Sequence, residues 1–316
     1  MALNVLVTGG CGFIGSFVVD RLVALGHVVT VVDLLEKRVH GEHPDPMIGA
    51  GTTFYCNHVG DLPYTAYCDA YVVIHLAAEV GVADSMTDPL RYVEQNTLET
   101  AQMLCDLRRI VERGKLKRLV VASSMSIYGN GGVGVVETDY AAPASVYGLT
   151  KLDQERLCLM WGEMYRVPTL ALRFFNVYGP RQSLNNPYTG VLANFAKRLL
   201  QDQAPVIFED GGQTRDFVFV EDVARAVCIA ALMEEPMYGA FNICTGDPTT
   251  ILGAARCLAI SLGKGSIEPT INGKTRAGDI RHCTGDPGKA EKYLKFSALY
   301  PFSRGVQEYC KWLLTQ

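Results

Sequence analysis

Thr8-Gly9-Gly10-Cys11-Gly12-Phe13-Ile14-Gly15 stands between a short apolar run, Leu3 to Val7, and a helical pattern carried by Phe17, Val18, Leu22 and Leu25. The helical pattern stops at Gly26, and a β-branched run from His27 to Val32 follows, closed by Asp33 eighteen residues after Gly15. Strand, glycine turn, helix, strand and acid in that order predict a dinucleotide-binding βαβ unit. Gly9 allows the tight turn, Gly12 lets backbone N–H groups approach a pyrophosphate, and Gly15 lets helix and strand pack closely. The helix N-terminus adds a favourable partial positive charge. Asp33 is suited to accept hydrogen bonds from the adenosine ribose and to repel a 2′-phosphate, so NAD is expected over NADP. Lys37 and Arg38, close behind, pull weakly the other way.

Beyond this unit the alternation continues. Strands are expected near Thr53 to Cys56, at Tyr71 to Leu76, Leu119 to Ala122 and Thr169 to Phe175. Helices are expected over Tyr92 to Val111 and from about Val146 to Tyr165. Such alternation predicts an α/β fold, a Rossmann-type doubly wound parallel sheet over residues 1–175. After Asn176 the texture becomes irregular, with helices near Val191 to Gln201 and Glu221 to Leu232 and a short strand at Val206 to Phe208. Residues 176–316 are expected to form a smaller C-terminal α/β lobe, with segments from about 206–245 returning to the first sheet.

Composition narrows the function. The chain has 316 residues, 48% hydrophobic, and 29 basic against 33 acidic groups, a formal charge of −4. That is enough chain for about two domains. Without a basic excess or run, no nucleic-acid footprint is expected. No apolar stretch is long enough to span a bilayer and no secretory leader is recognisable, so no membrane partner and a cytoplasmic location are expected. The ten cysteines never fall as C-x-x-C, and no His stands at ligand spacing beside two of them. Reduced buried thiols are therefore expected, with no metal site.

The reacting groups lie further on. Tyr147 and Lys151 are four residues apart at the start of a predicted helix, so both project from one face. A phenol titrates near 10 in water, roughly. A neighbouring ammonium and a cationic nicotinamide would lower that value. Ser123-Ser124-Met125-Ser126 falls at the C-terminal end of the preceding strand, the edge at which α/β sheets bind ligands. Asp61-Leu62 could hold the adenine edge or be an ordinary Asx turn. His75, at the end of the third clear strand, reads as a satisfied core histidine.

The combined motifs resemble the extended short-chain dehydrogenase/reductases, and within them the NAD-dependent nucleotide-sugar epimerases and dehydratases. They are Thr8-Gly9-x-x-Gly12-x-x-Gly15, His75-Leu76-Ala77-Ala78, Asn96, Ser123-Ser124-x-x-Ile127-Tyr128-Gly129, Tyr147-x-x-x-Lys151 and Arg173-Phe174-Phe175-Asn176. Phrases of the second half agree, among them Gly179-Pro180-Arg181-Gln182, Arg215-Asp216-Phe217-Val218 and Arg276-Ala277-Gly278-Asp279. Val39-His40-Gly41 and Val80 to Met86 are similar to the dTDP-L-rhamnose 4-epimerase-like branch. The resemblance implies Tyr147 as acid/base at the sugar O4, Lys151 on the nicotinamide ribose, and Ser124 hydrogen-bonded to O4. It implies a tightly bound NAD lined by Phe13, Ile14, Asp33, Leu34, Asp61 and Leu62, and by Leu76, Ala77, Ala78, Asn96, Ser123 and Phe175. It implies that Asn176, Asn194, Arg215 and Arg276 grip a nucleotide diphosphate, with Ser85, Ser126 and Asp279 also facing the substrate. Guanidinium forks suit phosphate oxygens, although either arginine could instead belong to a surface ion pair.

Family members that dehydrate carry an Asp and a Glu after the catalytic hydroxyl residue, where this chain has Met125 and Ser126. The resemblance therefore implies C4 epimerisation through a transient 4-keto sugar, with dTDP-L-rhamnose and dTDP-L-talose as the expected pair. The chain lacks a Cys-rich insertion common in that branch between the serine motif and Tyr147. A UDP-hexose or UDP-hexuronate 4-epimerase, a nucleotide-4-keto-sugar reductase and a non-catalytic NAD-binding scaffold are the alternatives. A homodimer through a four-helix bundle is expected, built on the helices of Asn96 to Arg113 and Val146 to Tyr165.

Overall fold

A computed structural model describes residues 1–41, 49, 51–184, 190–275 and 280–316. The first half runs β1 (Asn4–Thr8), α1 (Phe13–Ala24), β2 (Val28–Val32), α2 (Lys37–His40), β3 (Thr52–Tyr55), α3 (Tyr64–Tyr67) and β4 (Val72–His75). Then come α4 (Val82–Ser85), α5 (Pro89–Tyr92), a π-type stretch Val93–Leu98 running into α6 (Glu99–Val111), and β5 (Arg118–Ser124). β6 (Gly132–Val135), α7 (Val146–Tyr165), β7 (Thr169–Phe174) and β8 (Asn176–Tyr178) follow. The second half holds α8 (Val191–Leu200), β9 (Val206–Ile207), β10 (Thr214–Phe219), α9 (Val220–Leu232), β11 (Gly239–Ile243) and β12 (Pro248–Thr250). It ends with α10 (Ile251–Ser261), β13 (Thr270–Ile271), β14 (His282–Gly285) and α11 (Phe302–Leu313).

Seven strands form a parallel sheet in the order β11-β7-β5-β4-β1-β2-β3. Its strands are apolar on both sides because both sides are covered. Val5 and Val7 join a core with Val18 and Leu22 of α1 and Val223 and Val227 of α9. Leu6, between them, joins Met103, Leu107 and Ile110 of α6 and Cys158 of α7 on the other face. Each such side chain contributes about 1.5–3 kcal/mol on burial.

After Phe174 the chain leaves this sheet, and β8 pairs with β10 in a second sheet that also holds β12, β14 and β6. The lobe has its own core, with Tyr178, Phe195, Phe217, Leu258 and Tyr309. The chain then returns: α9 packs on the first core and β11 pairs with β7. Val206–Ile207, expected among the returning segments, instead pairs with Thr270–Ile271 in a two-stranded sheet of the lobe. The return begins with α9. Among the described residues no helix is long and apolar enough to cross a membrane.

Candidate active site

A cavity of about 530 Å³ lies over the C-terminal ends of β1, β2, β4 and β5 and reaches Asn176 and Val177 of β8. Its floor is the glycine turn. Gly9 has φ +69°, and a Cβ there would sit 2.7 Å from the Ala77 amide nitrogen, so the end of β4 approaches a bare backbone. A Cβ on Gly15 would collide with the Gly9 carbonyl and lie 2.8 Å from the Gly10 Cα, so helix and turn touch only without one. Gly12, the N-cap of α1, brings no side-chain cap. The first N–H groups of a helix lack partners within it, and here Phe13 and Ile14 face the cavity. This cradle fits an anionic pyrophosphate.

Asp33 joins the turn to the end of β2. One carboxylate oxygen accepts from the Cys11 amide (3.0 Å), the other from Leu35 (2.9 Å), and both Asp33 and Leu34 line the cavity. Arg38 also reaches the wall, but it is ion-paired with Glu79 and lies 3.2 Å from Asp84. Its charge is already matched by carboxylates, which favours a cofactor without a 2′-phosphate.

Asp61 and Leu62 do not line the cavity. Asp61 is exposed and Leu62 lies in the core; Asn57 and Val59 take the wall instead. The reason is register: β3 pairs Tyr55 with Val32, so the residues just after Tyr55 reach the edge occupied by Asp33. The strand end, not the Asp-Leu dipeptide, was the informative signal. Asn96 is likewise absent from the wall. Fully buried, it accepts from the Glu79 amide (2.6 Å) and donates to the Glu79 carbonyl (3.1 Å) and the Thr150 hydroxyl (3.0 Å), bracing the cavity loop against α7. Leu76, Ala77, Ala78, Ser123 and Phe175 do line it.

Ser124, Tyr147 and Lys151 meet on one wall of the same cavity. Ser145 caps α7 by accepting from the Gly148 amide (3.1 Å), which starts the helix so that Tyr147 and Lys151 share a face. At the end of β5 the Ser124 hydroxyl accepts from the Ser126 amide (3.1 Å). Burial raises the Tyr147 phenol, and a hydrogen bond with Ser124 partly offsets it. Burial pushes the Lys151 ammonium down to about 7. Tyr92 stands edge-on to Tyr147, ring centroids 6.4 Å apart.

Beneath this wall lies a network that sequence reasoning missed. Ser123 donates to Glu155 (2.6 Å), and Arg173 binds both Glu155 oxygens (3.0 and 2.5 Å) and the Tyr128 hydroxyl (2.7 Å). His75 is buried and kept neutral, its value pushed down to about 3 by burial and then by the Lys151 charge. That agrees with its reading as a core histidine.

A second cavity, of about 170 Å³, is lined by Arg215, Gln213, Phe208, Phe195 and Ile251. Asn176 lines both cavities. The side-chain oxygens of Asn176 and Gln213 are buried without a partner among the described residues. Ser126 and Met125 line the first cavity, and the Met125 sulfur lies 3.1 Å from that of Cys283. Ser85 is buried and donates to the Val82 carbonyl (2.7 Å), lining neither cavity. Asn194 is exposed, because Val191 and Phe195 take the inward positions of α8. Arg276 and Asp279 lie outside the described residues.

The model of the NAD dependent epimerase/dehydratase family matches residues 5–244. The dTDP-L-rhamnose 4-epimerase of Burkholderia thailandensis is 32% identical over 351 residues, covering 98% of this chain and 94% of its own. Among solved structures, UDP-N-acetylglucosamine 4-epimerase from Methanobrevibacter ruminantium M1 superposes with a TM-score of 0.90 at 30% identity, covering 100% of this chain and 99% of that one. UDP-glucuronic acid 4-epimerase from Bacillus cereus, solved with UDP-glucuronic acid and NAD, gives 0.87 at 29% identity over 99% of both.

Proposed function

For a chain that belongs to the NAD dependent epimerase/dehydratase family, and is an NAD-dependent nucleotide-sugar epimerase, we propose inversion at C4 of a dTDP-linked 6-deoxyhexose, interconverting dTDP-L-rhamnose and dTDP-L-talose. One observation carries the reaction type. Ser124, Tyr147 and Lys151 converge on the wall of the dinucleotide cavity, while Met125 and Ser126 offer no carboxylate for a second proton transfer. Such a site handles one proton at one carbinol.

When bound, NAD supplies the hydride acceptor and donor. Tyr147 takes the O4 proton and later returns it, and the Ser124 hydroxyl holds O4 within reach. Lys151 orients the nicotinamide ribose, and Asn57 takes the adenine-edge role expected of Asp61. Arg215 holds the diphosphate, and Asn176 stands where the two cavities join. The keto sugar turns about its bond to the anchored diphosphate, presenting its opposite face. The unpartnered Gln213 oxygen suits a base that offers an N–H, as thymine and uracil both do.

A UDP-hexose or UDP-hexuronate is the second substrate reading, supported by the UDP-sugar epimerases among the solved neighbours. The assembly proposed is a homodimer through α6 and α7, supported by the exposed Leu149 and Met160 of α7. The deciding experiment incubates the purified protein, without added reductant, with dTDP-L-rhamnose, UDP-glucose and UDP-glucuronate and follows C4 by NMR. The proposal expects the C4 epimer of the dTDP sugar to form fastest.

A further inference from the structure

Behind Lys151 lies a polar chain that the proposed reaction does not use. Tyr147, Lys151 and Gln154 are spaced four and three residues apart on α7, so they share one face. Gln154 is fully buried. Its Oε1 lies 2.5 Å from Lys151 Nζ. An ammonium only donates, which settles the orientation of the amide: oxygen toward Lys151, nitrogen away. The amide nitrogen reaches Thr100 Oγ1 (2.9 Å) and His75 Nε2 (3.1 Å). Thr100 donates to the Asn96 carbonyl (2.5 Å), leaving its oxygen to accept from Gln154. His75 Nδ1 lies 2.7 Å from Thr8 Oγ1, at the start of the glycine turn.

We infer that Gln154 is a positioning residue, its amide oxygen fixing the Lys151 ammonium at the dinucleotide cavity and its amide nitrogen anchoring it to β1, β4 and α6. Lys151 has to remain charged in a site that burial makes unfavourable to charge, and it depresses His75 across the same gap. Glu155 and Cys158 face it from its own helix, with Tyr147 on the cavity side. Arg173 of β7 is held by Glu155, Tyr92 of α5 bonds Asp84 of α4, and Glu99 of α6 bonds His58. Gln154 is thus the neutral acceptor that keeps the ammonium both charged and aimed.

The sign of the test follows. Removing the acceptor weakens the charged form, so Gln154→Leu lowers the pH at which Lys151 loses its proton, by about one unit. Gln154→Glu adds a carboxylate and raises it by a similar amount, and neutral His75 can donate to the new oxygen from Nε2. The inference rests on the role proposed for Lys151, so a readout independent of turnover is needed. The titration of Lys151 is followed by NMR in apo protein carrying 13C-labelled lysine, with Lys151→Arg identifying the signal.

Opposite movements of that midpoint in the two variants are expected, with the alkaline limb of epimerisation moving the same way. If Gln154→Leu does not fold, the upward movement in Gln154→Glu decides alone. An unchanged midpoint in a folded variant overturns the inference. Moved midpoints in a wild type that epimerises no sugar nucleotide would leave the positioning role intact and overturn the proposed function instead.

Discussion

Arg173 clasps both carboxylate oxygens of Glu155, at 3.0 and 2.5 Å, with both side chains buried directly behind Ser123. Through Ser123, Glu155 and Arg173 the end of β5 is tied to α7 and β7. Buried ion pairs are worth little against an apolar isostere, but losing one partner strands the other charge. Arg173→Met is therefore expected to destabilise the protein by about 3–5 kcal/mol, read as a fall in the urea midpoint. Arg173→Met with Glu155→Leu should recover part of that loss.

Gly15 admits no side chain, since its Cβ would meet the Gly9 carbonyl and the Gly10 backbone, neither of which can swing aside. Gly15→Ala should weaken NAD binding at least tenfold, roughly 1.4 kcal/mol, and lower the melting temperature. Isothermal titration with NAD and a thermal melt check both.

Asn57 lines the cavity and Asp61 does not. Asn57→Ala is expected to weaken NAD several-fold, on the scale of about 1 kcal/mol for one hydrogen bond. Asp61→Ala should leave the affinity unchanged. Equal losses in the two variants, measured by the same titration, would return the adenine edge to Asp61.

His75 is neutral in the folded chain and titrates at about 3, against 6.5 for a free side chain. Between those values the unfolded chain binds the extra proton, so stability is lost as pH falls from about 6.5 toward 3. His75→Asn removes this titration. Its urea midpoint should vary less with pH across that window than the wild type's.

Much of this architecture was legible because local chemistry and global packing agree. The helix expected from about Val146 to Tyr165 is α7, Val146–Tyr165, started in the structure by the Ser145 cap. The glycine turn reads clearly because its backbone has no room for Cβ atoms. What failed to read depends on partners distant in sequence. Asp61 carries a familiar dipeptide, yet the register between β2 and β3 brings Asn57 to the edge. Asn96 and Ser85 belong to recognisable phrases, but Asn96 turns its side chain onto the Glu79 backbone and Ser85 bonds the Val82 carbonyl of its own helix turn. Arg173 and Glu155 meet only when β7 lies beside β5 under α7, and the strand expected at Val206 to Phe208 is present, but its pairing with Thr270–Ile271 rather than with the first sheet depends on a partner more than sixty residues away.

Tyr147 and a bound dinucleotide acting on a single carbinol make a demand that one labelling experiment tests directly. With dTDP-L-rhamnose deuterated at C4 and no added reductant, the wild type should give the C4 epimer with deuterium still at C4. Tyr147→Phe should lose at least about a hundredfold in rate while still binding NAD. Deuterium washed out to solvent, product formed only with added NADH, or a Tyr147→Phe rate close to wild type would contradict the account.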